Sequence, residues 1–158
     1  MLSEFEQRIV DCVEKYGWFG LSVSPRAGSE DPEEWFTYTI GLPKTHCWPE
    51  IICFGLAGDT AHGLLSDAID ECERKATSPS IGLELTEVAK GYKVAIGDAS
   101  AIPDPYFGTA TWYARHAGTQ APPARVQLFW PDKSGRFPDD PACSPDVRRM
   151  QTPLEATE

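Results

Sequence analysis

His46 and Cys47 stand side by side between two segments rich in β-forming residues, with Trp48 and Glu50 close behind. A thiol beside an imidazole is the raw material of an activated nucleophile or of half a metal site. In extended chain, however, neighbouring side chains point to opposite sides, so adjacency in sequence does not bring the two groups together. The pair is read as part of a connecting loop. A metal site fares no better: His46, His62 and His116 show no H-x-x-x-H or H-E-x-x-H spacing, and His62 is read as a surface or cap residue in the first turn of a helix. Glu50 heads an apolar run after Pro49. Burial there would give a general base with a raised pKa, whereas exposure at a strand edge would pair it with Lys44 or Arg136. One carboxylate without a partner specifies no reaction, so the structural reading of Glu50 is preferred.

Two further stretches offer recognition chemistry. Trp130-Pro131-Asp132 and Gly135-Arg136-Phe137-Pro138 combine aromatic rings with a guanidinium, which suits stacking and a carboxylate fork. The same residues are turn chemistry, with Asp132 bonding its own backbone and Gly135 supplying positive φ. Tyr38, Glu50, Trp130, Asp132, Arg136 and Phe137 are the ligand-binding candidates. Glu30, Asp31, Glu33 and Glu34 form an acidic loop that is the candidate surface for a basic protein partner.

The charge distribution bears on that second surface. Of 158 residues, 24 are Asp or Glu and 14 are Lys or Arg, a net charge of −10. Residues 1–87 carry 16 of the acids and 6 of the bases, so the whole excess lies there. Such a chain repels phosphate backbones and anionic lipid, which excludes nucleic acid and membrane surfaces as expected partners. No basic stretch precedes an apolar run at the N-terminus, and Cys12, Cys47, Cys53, Cys72 and Cys143 are odd in number and irregularly spaced. A cytoplasmic protein with reduced thiols is expected, with no metal and no cofactor.

The elements that must position these residues follow from periodicity. Ser3 and Glu6 make a capping box, and Phe5, Ile9, Cys12, Val13 and Tyr16 recur at helical spacing up to a stop at Gly17. Strands are expected over 18–24, 35–42, 50–56, 91–97 and 125–130. A second helix is expected from an N-cap at Asp59 to Lys75, with Asp67, Asp70, Glu71 and Glu73 mainly off its apolar face. A third runs from Asp104-Pro105 to Ala117. Short loops between successive strands indicate an α+β fold: a mainly antiparallel sheet of about five strands with three helices, in one domain over 1–141. Residues 142–158 are expected to form a loosely packed tail.

Several segments together resemble one family. They are Tyr38-Thr39-Ile40-Gly41-Leu42, Pro49-Glu50-Ile51-Ile52, Gly91-Tyr92, and Gln127 to Asp132 with Gly135-Arg136-Phe137-Pro138. Over about Gly17 to Pro141 the chain resembles the domain-of-unknown-function 4262 family of bacterial proteins. One departure is Asp139, where the family pattern often has an aromatic residue. The resemblance implies a single domain and no particular activity. The functional expectation is a non-enzymatic protein-binding module, of immunity or antitoxin type. The alternative is a small-ligand or flavin-binding protein on a split-barrel-like sheet, and a cysteine hydrolase using Cys47 and His46 is the third reading.

Overall fold

Every residue of the strand Glu50–Phe54 is buried, and that single fact dictates a layered architecture. A strand with apolar residues pointing both ways must be covered on both faces. The computed structural model describes residues 1–23, 35–89 and 92–151. Within them the order is α1 (Glu4–Tyr16), β1 (Phe19–Val23), β2 (Phe36–Ile40), α2 (Leu42–His46), β3 (Glu50–Phe54), α3 (Gly58–Arg74), β4 (Glu84–Ala89), β5 (Tyr92–Asp98), a 3-10 turn (Asp104–Phe107), α4 (Gly108–Ala117), β6 (Arg125–Phe129) and α5 (Pro145–Met150). The acidic-loop candidates Glu30, Asp31, Glu33 and Glu34 lie outside the described residues.

The fold is α+β, and the strands form one sheet in the order β1-β2-β3-β6-β5-β4. All neighbours pair antiparallel except β3 and β6, which run parallel. The sheet is open, with β1 and β4 as its edges. No pairing closes the described strands into a split barrel.

Alternation sorts the sheet's side chains into two cores. Ile51, Cys53, Val126, Leu128, Val94 and Ile96 meet Leu65, Ala68, Ile69 and Cys72 of α3. On the other face Phe36, Tyr38, Ile40, Ile52 and Phe54 meet Ile9 and Val13 of α1 and Phe107, Ala110 and Tyr113 around α4. Arg125 ties the 3-10 turn to β6: its guanidinium lies 4.4 Å from the centre of the Phe107 ring and pairs with Asp104 at 2.9 Å.

Helix α1 forms as its sequence specifies. Ser3 Oγ accepts the Glu6 amide, Glu6 Oε1 accepts the Ser3 amide, and Gly17 ends the helix at φ 93°. The stripe is narrower than expected, since Phe5 and Tyr16 are exposed. Helix α3 begins two residues early, with Ala57 as cap, and Asp59 holds the Thr60 amide from inside the first turn. The expected third helix starts as a 3-10 turn and becomes α-helical only at Gly108. The short connection after β2 contains α2.

Two parts of the chain depart from expectation more substantially. Strand β4 was missed because Glu84, Thr86 and Glu87 break the apolar signal, leaving Leu85 and Val88 as the buried side chains among those described. The tail expected from 142 onward is instead held as far as Gln151. The Gln151 side chain accepts the Trp130 amide at 2.9 Å and donates to the Trp130 carbonyl at 2.6 Å, much as a neighbouring strand would. Gln127 donates to the Gln151 carbonyl at 2.8 Å.

Helix α3 touches both edge strands of the sheet, with its first turns along β1 and one face of its C-terminal half on β4. At one end Gly58 lies against Ser22 of β1, where a Cβ would come 2.8 Å from Ser22 Oγ. At the other, Glu71 was expected on the acidic outer face but is fully buried. It accepts the amides of Glu87 (2.8 Å) and Thr86 (3.3 Å) and pairs with Lys75 Nζ at 2.7 Å. Those amides fall where the β4–β5 register shifts, so Glu71 supplies acceptors at the irregular part of the ladder. Burial pushes the Glu71 pKa up, but the bonds from Lys75, Glu87 and Thr86 outweigh it and hold the carboxyl below its ordinary value.

Glu71→Ala removes an acceptor from two backbone amides and is expected to cost about 2–3 kcal/mol of stability by urea unfolding at neutral pH. Because the folded pKa is depressed, the contribution is present above the unfolded value of 4.5 and fades as pH falls through the folded one. The wild-type advantage over Glu71→Ala therefore shrinks below about pH 4.5.

Candidate functional site

Glu50 is the most perturbed carboxyl of the sequence candidates. It is 1% exposed, and among the described residues neither Lys44 nor Arg136 pairs with it, which corrects the edge placement. Glu50 Oε1 accepts Thr39 Oγ1 at 2.7 Å and the Leu42 amide at 3.3 Å, and Oε2 accepts the Gly41 amide at 2.8 Å. Thr39 Oγ1 in turn accepts the Ile51 amide at 2.9 Å. One carboxyl thus joins the end of β2, the start of α2 and the start of β3. Burial pushes its pKa up to about 8 against the lowering effect of the Thr39, Gly41 and Leu42 bonds. The group can hold a proton at neutral pH, but it is enclosed by its own scaffold. Tyr38, the neighbouring candidate, accepts the Thr109 amide at 3.2 Å and packs on Phe107 in the α1/α4 core.

The remaining ligand candidates lie elsewhere. Trp130 packs on the α3 core and donates its indole N–H to the Phe54 carbonyl at 2.9 Å. Asp132, 7% exposed, accepts the amides of Ser134, Arg136 and Ser144. The Arg136 and Ser144 amides hold its carboxyl below the ordinary range despite burial. Gly135 sits at φ 82°, Arg136 leans on the Ala142 carbonyl at 3.4 Å, and Phe137 is half-buried. The loop's bonds run to the C-terminal segment. The structure does not gather Tyr38, Glu50 and Trp130 around one cavity.

Each histidine packs against a tryptophan, His62 and His116 by stacking and His46 at a tilt. His46 lies 4.4 Å from Trp48, His62 4.9 Å from Trp18 and His116 5.5 Å from Trp112, between ring centres. Both nitrogens of His46 are engaged, Nδ1 with Thr45 Oγ1 at 2.6 Å and Nε2 with Glu73 Oε2 at 2.9 Å. Neither is free to activate the exposed Cys47 thiol. No group of three His, Cys, Asp or Glu side chains among the described residues is placed to hold a metal ion.

A cleft of about 480 Å³ opens at the β1 edge, where α1 and α3 meet from opposite faces of the sheet. It is lined by Cys12 and Tyr16 of α1, by Trp18, Phe19 and Gly20, and by His62, Ser66 and Asp70 of α3. The last three recur every four residues and therefore share one helical stripe. Gly20 makes the wall possible: a Cβ there would come 2.5 Å from His62 Cδ2 and 3.1 Å from Trp18 Cζ3. The His62–Trp18 stack thus rests on bare backbone, with ring planes 24° apart. Cys12 donates its thiol to the Trp18 carbonyl at 3.5 Å, and burial raises its pKa although Lys15 opposes this. The cleft offers aromatic faces, a hydroxyl, an imidazole and a carboxylate.

Sequence reasoning passed over this site because its residues come from three elements. Two signals were available: the His62, Ser66 and Asp70 stripe, and a glycine inside an otherwise apolar strand, which marks close approach by another group.

The Glu50 environment predicts a pH dependence distinct from that of Glu71. The folded pKa of about 8 exceeds the unfolded 4.5, so the contribution is fully present below pH 4.5 and is lost as pH rises to about 8. Urea unfolding at pH 5 and pH 8.5 is expected to show wild type losing a few kcal/mol relative to Glu50→Gln. Equal losses in both proteins would assign the proton to another group.

Comparison with known proteins is consistent with the sequence resemblance. No curated protein and no solved structure matches the chain. The profile of the family described as Domain of unknown function (DUF4262) matches residues 12–144, a span that contains the whole cleft and the Trp130 loop. The chain belongs to that family.

Proposed function

We propose that the protein is a small-molecule-binding domain whose site is the cleft between α1, β1 and α3. One observation carries the reading: about 480 Å³ of concave space, walled by Tyr16, Trp18, Phe19 and His62, with Ser66 and Asp70 as polar groups in the lining. Ligand sites combine that range of volume with mostly apolar or aromatic walls and a few placed polar groups. The packing around Gly20 supports a preformed wall, which lowers the ordering cost of binding. A protein-binding role through Glu30, Asp31, Glu33 and Glu34 rests on their charge alone, and a flavin-binding role rests on the strand pair alone.

The test uses indole, a neutral flat probe, followed by thermal unfolding and tryptophan fluorescence. At tenfold excess over its dissociation constant, indole should stabilise the fold by about 1.4 kcal/mol and raise the melting temperature by about 3–5 °C. Gly20→Val fills the wall beneath His62 and should abolish the shift while leaving a cooperative transition. No shift in the wild type at millimolar indole, or an equal shift in Gly20→Val, contradicts the reading.

A further inference from the structure

We infer that the ligand of this cleft is a flat organic cation, whose charged end is directed to Asp70; the inference rests on the cleft being the binding site. Of the eight residues lining the cleft, Asp70 is the one with a carboxylate, and none is Lys or Arg. Tyr16 and Trp18 line the cleft, and the negative quadrupole of an aromatic face attracts a cation placed over it. The protein already displays this attraction at the rim: Lys15 Nζ lies 5.1 Å from the centre of the Tyr16 ring. Lys15 is outside the lining set, so it competes with a ligand cation for that ring rather than forming the floor of an anion site.

The sequence charge has the same sense, since the cleft is built entirely from the half of the chain that carries the net −10. Ser66 lies one helical turn from Asp70 on the same stripe and offers a hydroxyl acceptor to a second N–H of an ammonium or amidinium group. An anionic ligand would meet Asp70 with no Lys or Arg in the lining to offset it. The arrangement therefore selects an aromatic amine or amidine over an aromatic acid of the same shape.

Isothermal titration calorimetry with tryptamine, indole and indole-3-propionate separates charge from shape, since all three share one ring system. Tryptamine should bind about tenfold more tightly than indole-3-propionate at low salt, with the gap narrowing as salt rises. Asp70→Asn should weaken tryptamine about threefold to tenfold and indole by a smaller factor; Asp70 is exposed, so its thermal unfolding should match wild type. Lys15→Met should strengthen tryptamine by removing its competitor at Tyr16. Tighter binding of indole-3-propionate, or tryptamine affinity unchanged in Asp70→Asn, overturns the cation assignment while bound indole preserves the site. Failure of all three compounds to bind removes the site itself.

Discussion

Helix α3 has to hold both edge strands of the sheet, and much of the molecule is arranged around that requirement. Its contacts with the two edges do not rest on apolar packing alone. At the β4 edge the answer is ionic: the buried Glu71 carboxylate takes two strand amides and the Lys75 ammonium. At the β1 edge the answer is the absence of side chains. Gly58 lets the helix touch Ser22, and Gly20 lets His62 lie on the strand. The cleft is the space left between α3, the C-terminal end of α1 and the first residues of β1.

Two buried glutamates show how the same side chain acquires opposite properties. Glu71 has a neighbouring ammonium as well as amides, and its charge is stabilised. Glu50 has only a hydroxyl and two amides in a fully enclosed setting, so desolvation dominates and its proton is retained to higher pH. Both residues fasten elements that local sequence cannot fasten by itself: Glu71 holds the irregular edge of β4, and Glu50 holds the turn from β2 into the five-residue α2. Their opposite shifts divide stability into an acid-sensitive and a base-sensitive part. That division belongs to the scaffold, not to chemistry at the cleft.

The parts of the fold legible in the sequence are those whose signals are local. Ser3 with Glu6, the Ile9 and Val13 face, the apolar run from Glu50 to Phe54 and the alternating Tyr92 to Gly97 each specify their own element. Long-range compensation hid the rest. Strand β4 is half charged because α3 supplies its missing interactions, and α5 with Gln151 is ordered by the C-terminal ends of β3 and β6 rather than by its own periodicity. The Trp130 to Pro138 loop was visible as turn chemistry, while its attachment to Ser144 and Gln151 was not. The cleft was the least visible feature, since no one segment contributes more than three of its residues.

The cleft gives this family member a specific physical character: a small aromatic hollow at a sheet edge with one carboxylate in its lining. Amide chemical-shift mapping of the isotopically labelled protein during a tryptamine titration addresses that character most directly. The account predicts saturable shifts concentrated at Gly20, Ser66 and Asp70 and at the Trp18 indole N–H, with the Trp130 indole unmoved. Shifts centred on Trp130 and Arg136, or spread over the acidic surface without saturation, would contradict it.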